Sequence, residues 1–119
     1  MNAHSAATET ALAYFHAWSG HDVDKAMAYI ADDIVCESPG GRIEGADAYR
    51  AFLEPFVGIV TGTRMLAAFG DERTALVMYD TSTLPVTSAP AAELVTVRDG
   101  VITNSRIIFD RLPFPPPPQ

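Results

Sequence analysis

Apolar positions recur along this chain in two rhythms, helical in the first half and strand-like in the second. Over residues 8–19, Ala11, Tyr14, Phe15 and Trp18 stand three and four residues apart, which predicts a helix with one broad apolar stripe. The Thr8-Glu9-Thr10 start supplies a capping hydroxyl and a first-turn acid, and Gly20 closes the helix. Asp22 or Asp24 opens a second helix with Ala26, Met27, Tyr29 and Ile30 on its buried side, stopped by Ala31-Asp32-Asp33. A short strand over 34–38 ends at Pro39-Gly40-Gly41 and carries Ile34, Cys36 and Ser38 on one face. Gly45-Ala46-Asp47 begins a third helix reaching about Phe56, with Tyr49, Phe52, Leu53 and Phe56 at helical spacing.

The remainder reads as strands. One covers 64–69, and Gly70-Asp71-Glu72 turns the chain into a hairpin of strands 75–83 and 91–97, whose loop carries Pro85 and Pro90. Arg98-Asp99-Gly100 is a tight-turn signal before a last strand over 101–111, and the proline-rich residues 112–119 predict an extended tail. Helices followed by antiparallel strands indicate an α+β fold in one domain, residues 1–114, with the tail beyond it. A curved sheet wrapped round three helices leaves a cone whose interior is a natural small-molecule site.

Each strand of the central hairpin carries one carboxylate near its middle, Asp80 and Glu93. If the loop turns about Val86 and Thr87, residues whose numbers sum to 173 lie opposite each other. Asp80 and Glu93 then become neighbours with Cβ atoms about 4.5–5.5 Å apart. Two facing carboxylates on an apolar sheet repel, so one holds its proton near neutral pH, and a neutral acid beside a charged base suits proton transfer. The alternative is a carboxylate on the wet face of a half-exposed sheet, where it serves solubility, and a slip of one residue converts one arrangement into the other. The last turn leaves a similar choice. A two-residue Asp99-Gly100 turn sets Arg106 across from Glu93, whereas one bulge residue sets Ile107 there.

Composition narrows the function. At 119 residues, 48% of them hydrophobic, the chain can bury a real core. A formal charge of −7 argues against nucleic acid and anionic membrane surfaces as partners. No apolar run approaches the roughly 18 residues of a membrane helix, and residues 1–8 lack the pattern of a secretory signal. The lone Cys36 fits a reducing cytoplasm, and with three scattered histidines it makes no zinc spacing. A cytoplasmic protein using neither metal nor cofactor is the expectation.

Several runs resemble the SnoaL-like domains of the nuclear transport factor 2-like superfamily: Tyr14-Phe-His-Ala-Trp18, His21-Asp22-Val23-Asp24, Ala31-Asp32-Asp33-Ile34-Val35 and Glu37-Ser38-Pro39-Gly40. Gly45-Ala-Asp-Ala-Tyr49, Val97-Arg98-Asp99-Gly100-Val101-Ile102 and Arg106-Ile-Ile-Phe109-Asp110 extend the likeness over about residues 11–114. The resemblance implies an α+β cone, a homodimer through the outer sheet face, and a hydrophobic small-molecule ligand. Ketosteroid isomerase relatives use a first-helix tyrosine, matched by Tyr14, and a protonated acid on the strand before the last turn, matched by Glu93. Their general base falls on Ser38, and a serine hydroxyl is no base without help. The Asp-Arg-Asp set of limonene epoxide hydrolase relatives falls near Asp80, Ser82 and Ile107 and is absent. The histidine of SnoaL-type cyclases has no counterpart after His21, and Asp110 is the one acid of the last strand.

The resulting expectation is an isomerase, cyclase or hydrolase/dehydratase acting by acid/base catalysis on a polyketide-, steroid- or terpenoid-like molecule. Asp80 would be the base, Glu93 the neutral acid and Tyr14 a hydrogen-bond donor. Trp18, Ser38, Phe52, Phe56, Met78, Ser82, Ile107 and Phe109 would hold the substrate. The alternative functions are a non-catalytic small-molecule binder and a dimerising accessory domain of the same fold.

Overall fold

The computed structural model describes residues 5–83 and 88–109. The turn expected at Val86 and Thr87, Asp110 and the proline-rich tail lie outside the described residues. Helix α1 spans Ala6–Ser19, two residues earlier than the stripe alone predicted, because the Ser5 side chain caps it by accepting from the Thr8 N–H. Its Ala7, Thr8, Ala11, Tyr14, Phe15 and Trp18 are buried. Helix α2 is a short Val23–Met27 segment capped by Asp22, with Ala26 buried.

Strand β1 spans Ile30–Ser38 and therefore takes Ile30 and the Asp32-Asp33 pair that the sequence assigned to a helix and its stop. A register irregularity between Ile30 and Val35 leaves both aspartates exposed while Ile30 and Ile34 stay buried. After the Pro39-Gly40 turn comes a strand the sequence did not announce, β2 (Gly41–Glu44), paired back on β1 and laced by Arg42 to Glu37 and Glu44 at 3.2 and 2.6 Å. Helix α3 (Ala46–Ile59) follows Gly45, whose φ of 91° suits the residue without a side chain, and it tolerates Pro55 in its interior. Then come β3 (Val60–Gly70), β4 (Thr74–Thr83), β5 (Ala91–Arg98) and β6 (Val101–Phe109).

The six strands form one curved mixed sheet in the order β2-β1-β6-β5-β4-β3, parallel between β1 and β6 and antiparallel elsewhere. Helix α1 packs on β3, β4, β5 and β6, and α3 lies against β1 and β2. The core centres on the rings of Phe15, Trp18 and Tyr79, whose centroids are 5.1–5.4 Å apart. The outer face exposes Phe69, Leu76, Met78, Leu94 and Ile108. Among the described residues, no helix is long and apolar enough to cross a membrane.

Two registers decide what faces inward. In the β4–β5 ladder Val77 stands opposite Glu93, so opposed residue numbers sum to 170 instead of 173. The difference is odd, and an odd slip moves a side chain to the other face. In the β5–β6 hairpin, Asp99 and Gly100 both take positive φ, 53° and 80°, as a two-residue turn of the tight primed type requires. Thr96 then pairs with Asn104 while Val97 pairs with Ile102, which leaves Thr103 as a bulge and brings Ile107 opposite Glu93.

Candidate functional site

The concave side of the sheet and the helices enclose a cavity of about 430 Å³. Its wall is built by Tyr14 and Trp18 from α1, by Tyr49, Phe52, Leu53, Pro55, Phe56 and Ile59 from α3, and by Tyr79, Thr81, Ala89, Ala91, Glu93, Ile107 and Phe109 from the sheet side. Depth sorts these residues by chemistry. Tyr14, Tyr49, Tyr79 and Glu93 are all at most 4% exposed, whereas Phe52, Phe56, Ile59 and Phe109 are partly exposed and Pro55 is exposed. The outer part of the cavity is thus apolar and its inner end carries the hydrogen-bonding groups.

Glu93 arrives there because the odd positions of β5, Ala91, Glu93, Val95 and Val97, all turn inward. One carboxylate oxygen accepts from the Ser105 hydroxyl at 2.7 Å, and the other accepts from Tyr79 at 3.4 Å. Burial holds the Glu93 carboxyl above the usual glutamate range, and the hydrogen bonds from Ser105 and then Tyr79 draw it partway back. Tyr14 and Tyr49 share a hydrogen bond of 2.5 Å. Burial, and after it mainly the neighbouring Glu93, pushes the Tyr14 and Tyr79 phenols well above their ordinary range. Tyr49 is raised by burial first and then by Tyr14. All three phenols therefore keep their protons at neutral pH. Behind Ser105, burial pushes the Cys36 thiol up to about 11, which makes it a small hydrophobe and not a nucleophile.

Tyr14, Glu93, Trp18, Phe52, Phe56, Ile107 and Phe109 all stand in the wall of this cavity. Asp80 does not. It occupies an even position of β4 between buried Tyr79 and Thr81, on the outer face, opposite Arg64. Its Oδ1 accepts from Ser88 Oγ at 2.9 Å and from the Ala89 N–H at 3.0 Å. Asp80 and Glu93 thus stand on opposite faces, and the odd slip of the hairpin register is the reason. The same parity puts Met78 and Ser82 on the outer face with Asp80 and not against a ligand. Ser38 ends β1 just before the β1–β2 turn, donating to the Gly41 carbonyl at 2.9 Å, and lines a separate depression of about 230 Å³ beyond Phe52 and Phe109.

Tyr49, Tyr79 and Ser105 are the inner-end residues that sequence reading passed over. Tyr49 was visible only as part of a helical stripe. The signal for the other two was alternation: with Glu93 inward, Ser105 belongs to the same face as Ile107, and Tyr79 to the same face as Val77. Among the described residues, Glu93 is the one carboxyl in the wall, no lysine, arginine or histidine lines it, and no cluster suited to a metal ion occurs.

A curved mixed sheet closed by helices, with an apolar mouth and a hydrogen-bonding inner end, defines a class of α+β cones built around an interior cavity. The chain belongs to the SnoaL-like domain family, whose model matches residues 11–105. No curated protein matches the sequence. Among solved structures, a protein from Kribbella flavida DSM 17836 is 62% identical, with a TM-score of 0.90 over 92% of this chain and 90% of that one. An LEH-like epoxide hydrolase of M. tuberculosis is 26% identical, with a TM-score of 0.73 over 90% of this chain and 84% of that one. A candidate polyketide cyclase from Sinorhizobium meliloti is also 26% identical, with a TM-score of 0.73 over 83% and 93% of the two chains.

Proposed function

We propose that this chain binds a mainly apolar small molecule and moves a proton on it, with Glu93 as the acid/base group and the Tyr14–Tyr49 pair as hydrogen-bond donor to the reacting oxygen. One observation carries the reading: a single carboxyl, 4% exposed, stands among aromatic and aliphatic side chains. A carboxyl held above its usual range works closer to the operating pH, where acid/base catalysis is most efficient. One such group suffices if the carboxylate removes a proton from the carbon beside a carbonyl and returns it at another position. The oxygen meanwhile leans on a tyrosine proton, so the reaction class is an isomerisation or cyclisation through an enol-type intermediate.

Incubating the protein with 2-tetralone in deuterated water and following loss of the α-proton signal by NMR tests this. Wild-type protein exchanges the proton above the buffer rate, and Glu93→Gln loses at least ~10²-fold of that excess while still binding. Undiminished exchange in Glu93→Gln sinks the assignment. Binding without chemistry is the second reading, favoured because Ser38, at the place of the isomerase relatives' base, lies outside the cavity. Tetralone binding with no exchange above buffer would leave that reading standing. A merely dimerising domain needs no cavity of this size, which falls within the usual ligand-site range.

A further inference from the structure

Resting on the small-molecule reading of the cavity but not on its chemistry, we infer that the depression of about 230 Å³ beyond Phe52 and Phe109 is an outer subsite for an apolar arm of the ligand. An elongated, arm-bearing molecule is then preferred over a compact one. Two shared rings carry the inference. Phe52 of α3 and Phe109 of β6 line the main cavity and the depression alike, and both are partly exposed. A ligand body in the main cavity and an arm in the depression therefore lie against the same two side chains.

The lining decides what the arm is made of. Ile43 of β2 stands opposite buried Cys36, on the inner face, and with Phe52 and Phe109 it makes an apolar floor. Ser38 spends its hydroxyl on the turn, donating to the Gly41 carbonyl at 2.9 Å and accepting from the Gly40 N–H at 3.2 Å. Arg42 borders the depression, but its register opposite Glu37 turns its side chain to the outer face. There the guanidinium pairs with Glu37 and Glu44. A charged group within the depression gains no counter-ion from these residues, whereas an alkyl chain covers apolar surface that is otherwise half wet. The exposed Gly40 and Gly41 form the rim and leave the end of the arm in water.

The pair 2-methylanthracene and 2-hexylanthracene tests this on the whole chain, the rigid rings standing for the body and the chain for the arm. Binding is read as quenching of Trp18, the sole tryptophan and a cavity residue, by energy transfer to the anthracene. A fully buried methylene is worth about fourfold in affinity, so five more of them should make the hexyl compound bind wild-type protein at least ~10-fold tighter, even in a half-open subsite. Gly40→Leu fills the depression from its rim. The φ of Gly40 is not positive, and an added Cβ there meets only the Ser38 Oγ, at an ordinary contact distance of 3.7 Å. Ser38→Leu fills it from the strand side, at the cost of the turn hydrogen bonds. Each substitution should remove most of the hexyl advantage and leave the methyl compound within about twofold, as expected for separate subsites. A hexyl advantage that survives both substitutions puts the arm elsewhere and overturns the inference. If the methyl compound binds wild-type protein and the longer chain adds nothing, only the subsite falls, and the tetralone exchange judges proton transfer separately. If neither compound binds, the small-molecule reading of the cavity falls and takes the subsite with it.

Discussion

Asp80 and Glu93 lie on adjacent strands of one hairpin, and their surroundings give them opposite roles. Glu93 points to the concave side, buried, with its carboxyl raised toward the neutral form. Asp80 points to the convex side and spends its acceptors on Ser88 and the Ala89 N–H. It fastens the segment returning from the loop, and that segment matters to the cavity because Ala89 forms part of its wall and exchanges backbone hydrogen bonds with Thr81 at 2.8 and 3.3 Å. Two carboxylates of similar intrinsic acidity thus become a fastener and a buried acid, the latter the proposed proton-transfer group, by facing different sides of one sheet.

The sharpest way to break this contrast is to remove each charge while keeping its shape. Glu93→Gln should cost at least ~10²-fold in tetralone exchange, and Asp80→Asn should leave the exchange rate essentially unchanged. The reverse outcome would reassign the base to the outer face. Next in size is a pH effect. Glu93 has a folded-state pKa above its unfolded value of 4.5, so its contribution to stability is complete below about pH 4.5 and is lost as pH rises through the folded value. Urea unfolding should show wild-type stability falling by up to ~1.4 kcal/mol per pH unit in that window, with Glu93→Gln lacking this component. A wild-type slope matched by the glutamine variant would mean that Glu93 titrates as an ordinary glutamate.

Smaller effects sharpen the fastening role. Asp80→Ala should cost about 1–2 kcal/mol of unfolding free energy and speed amide exchange at Ala89, while Asp80→Asn, whose amide oxygen still accepts, should cost less than half as much. Equal losses in both variants would argue that charge, not geometry, holds the segment. The smallest change is expected of Tyr79→Phe. It removes only the 3.4 Å hydrogen bond to Glu93 and should shift the midpoint of the pH effect further upward, with under ~1 kcal/mol of stability lost. Ser105→Ala, which removes the 2.7 Å bond, should move that midpoint more, and a reversed order would mean that Tyr79 is the stronger partner.

The fold was legible because helical stripes and the Asp99-Gly100 turn are local signals that tertiary packing reinforced. The hairpin and the family resemblance single out Glu93 but leave its face open; the exposed Thr96 and Arg98 are what put it with Val95 and Val97 on the dry side of β5. Asp80 had no such marker. Strand β4 carries Leu76 and Met78 on its outer face as well as Ala75, Val77 and Tyr79 on its inner one, so the apolar pattern does not announce which side is buried. With that alternation blurred, the register rested on the geometry of a long loop, which composition does not determine. Strand β2 was missed for a related reason: four mostly exposed residues after a Pro-Gly turn carry no hydrophobic pattern at all. The pairing of β1 with β6 is a long-range contact and leaves no local trace.

The bulge at Thr103 gives Arg106 an importance its exposure hides. The last strand has two registers available with the same turn: the bulged one, which faces Ile107 to the cavity, and a flat one that would face Arg106 there instead. Burying a guanidinium in that dry interior would add to the cost of the flat register, which would also turn Ser105 away from Glu93. Arg106 therefore earns its place through the arrangement it forbids, as a guard on strand alignment. A leucine in its stead would lie beside Leu94 on the outer face and would lower the cost of the flat register, bringing the two alignments closer in free energy.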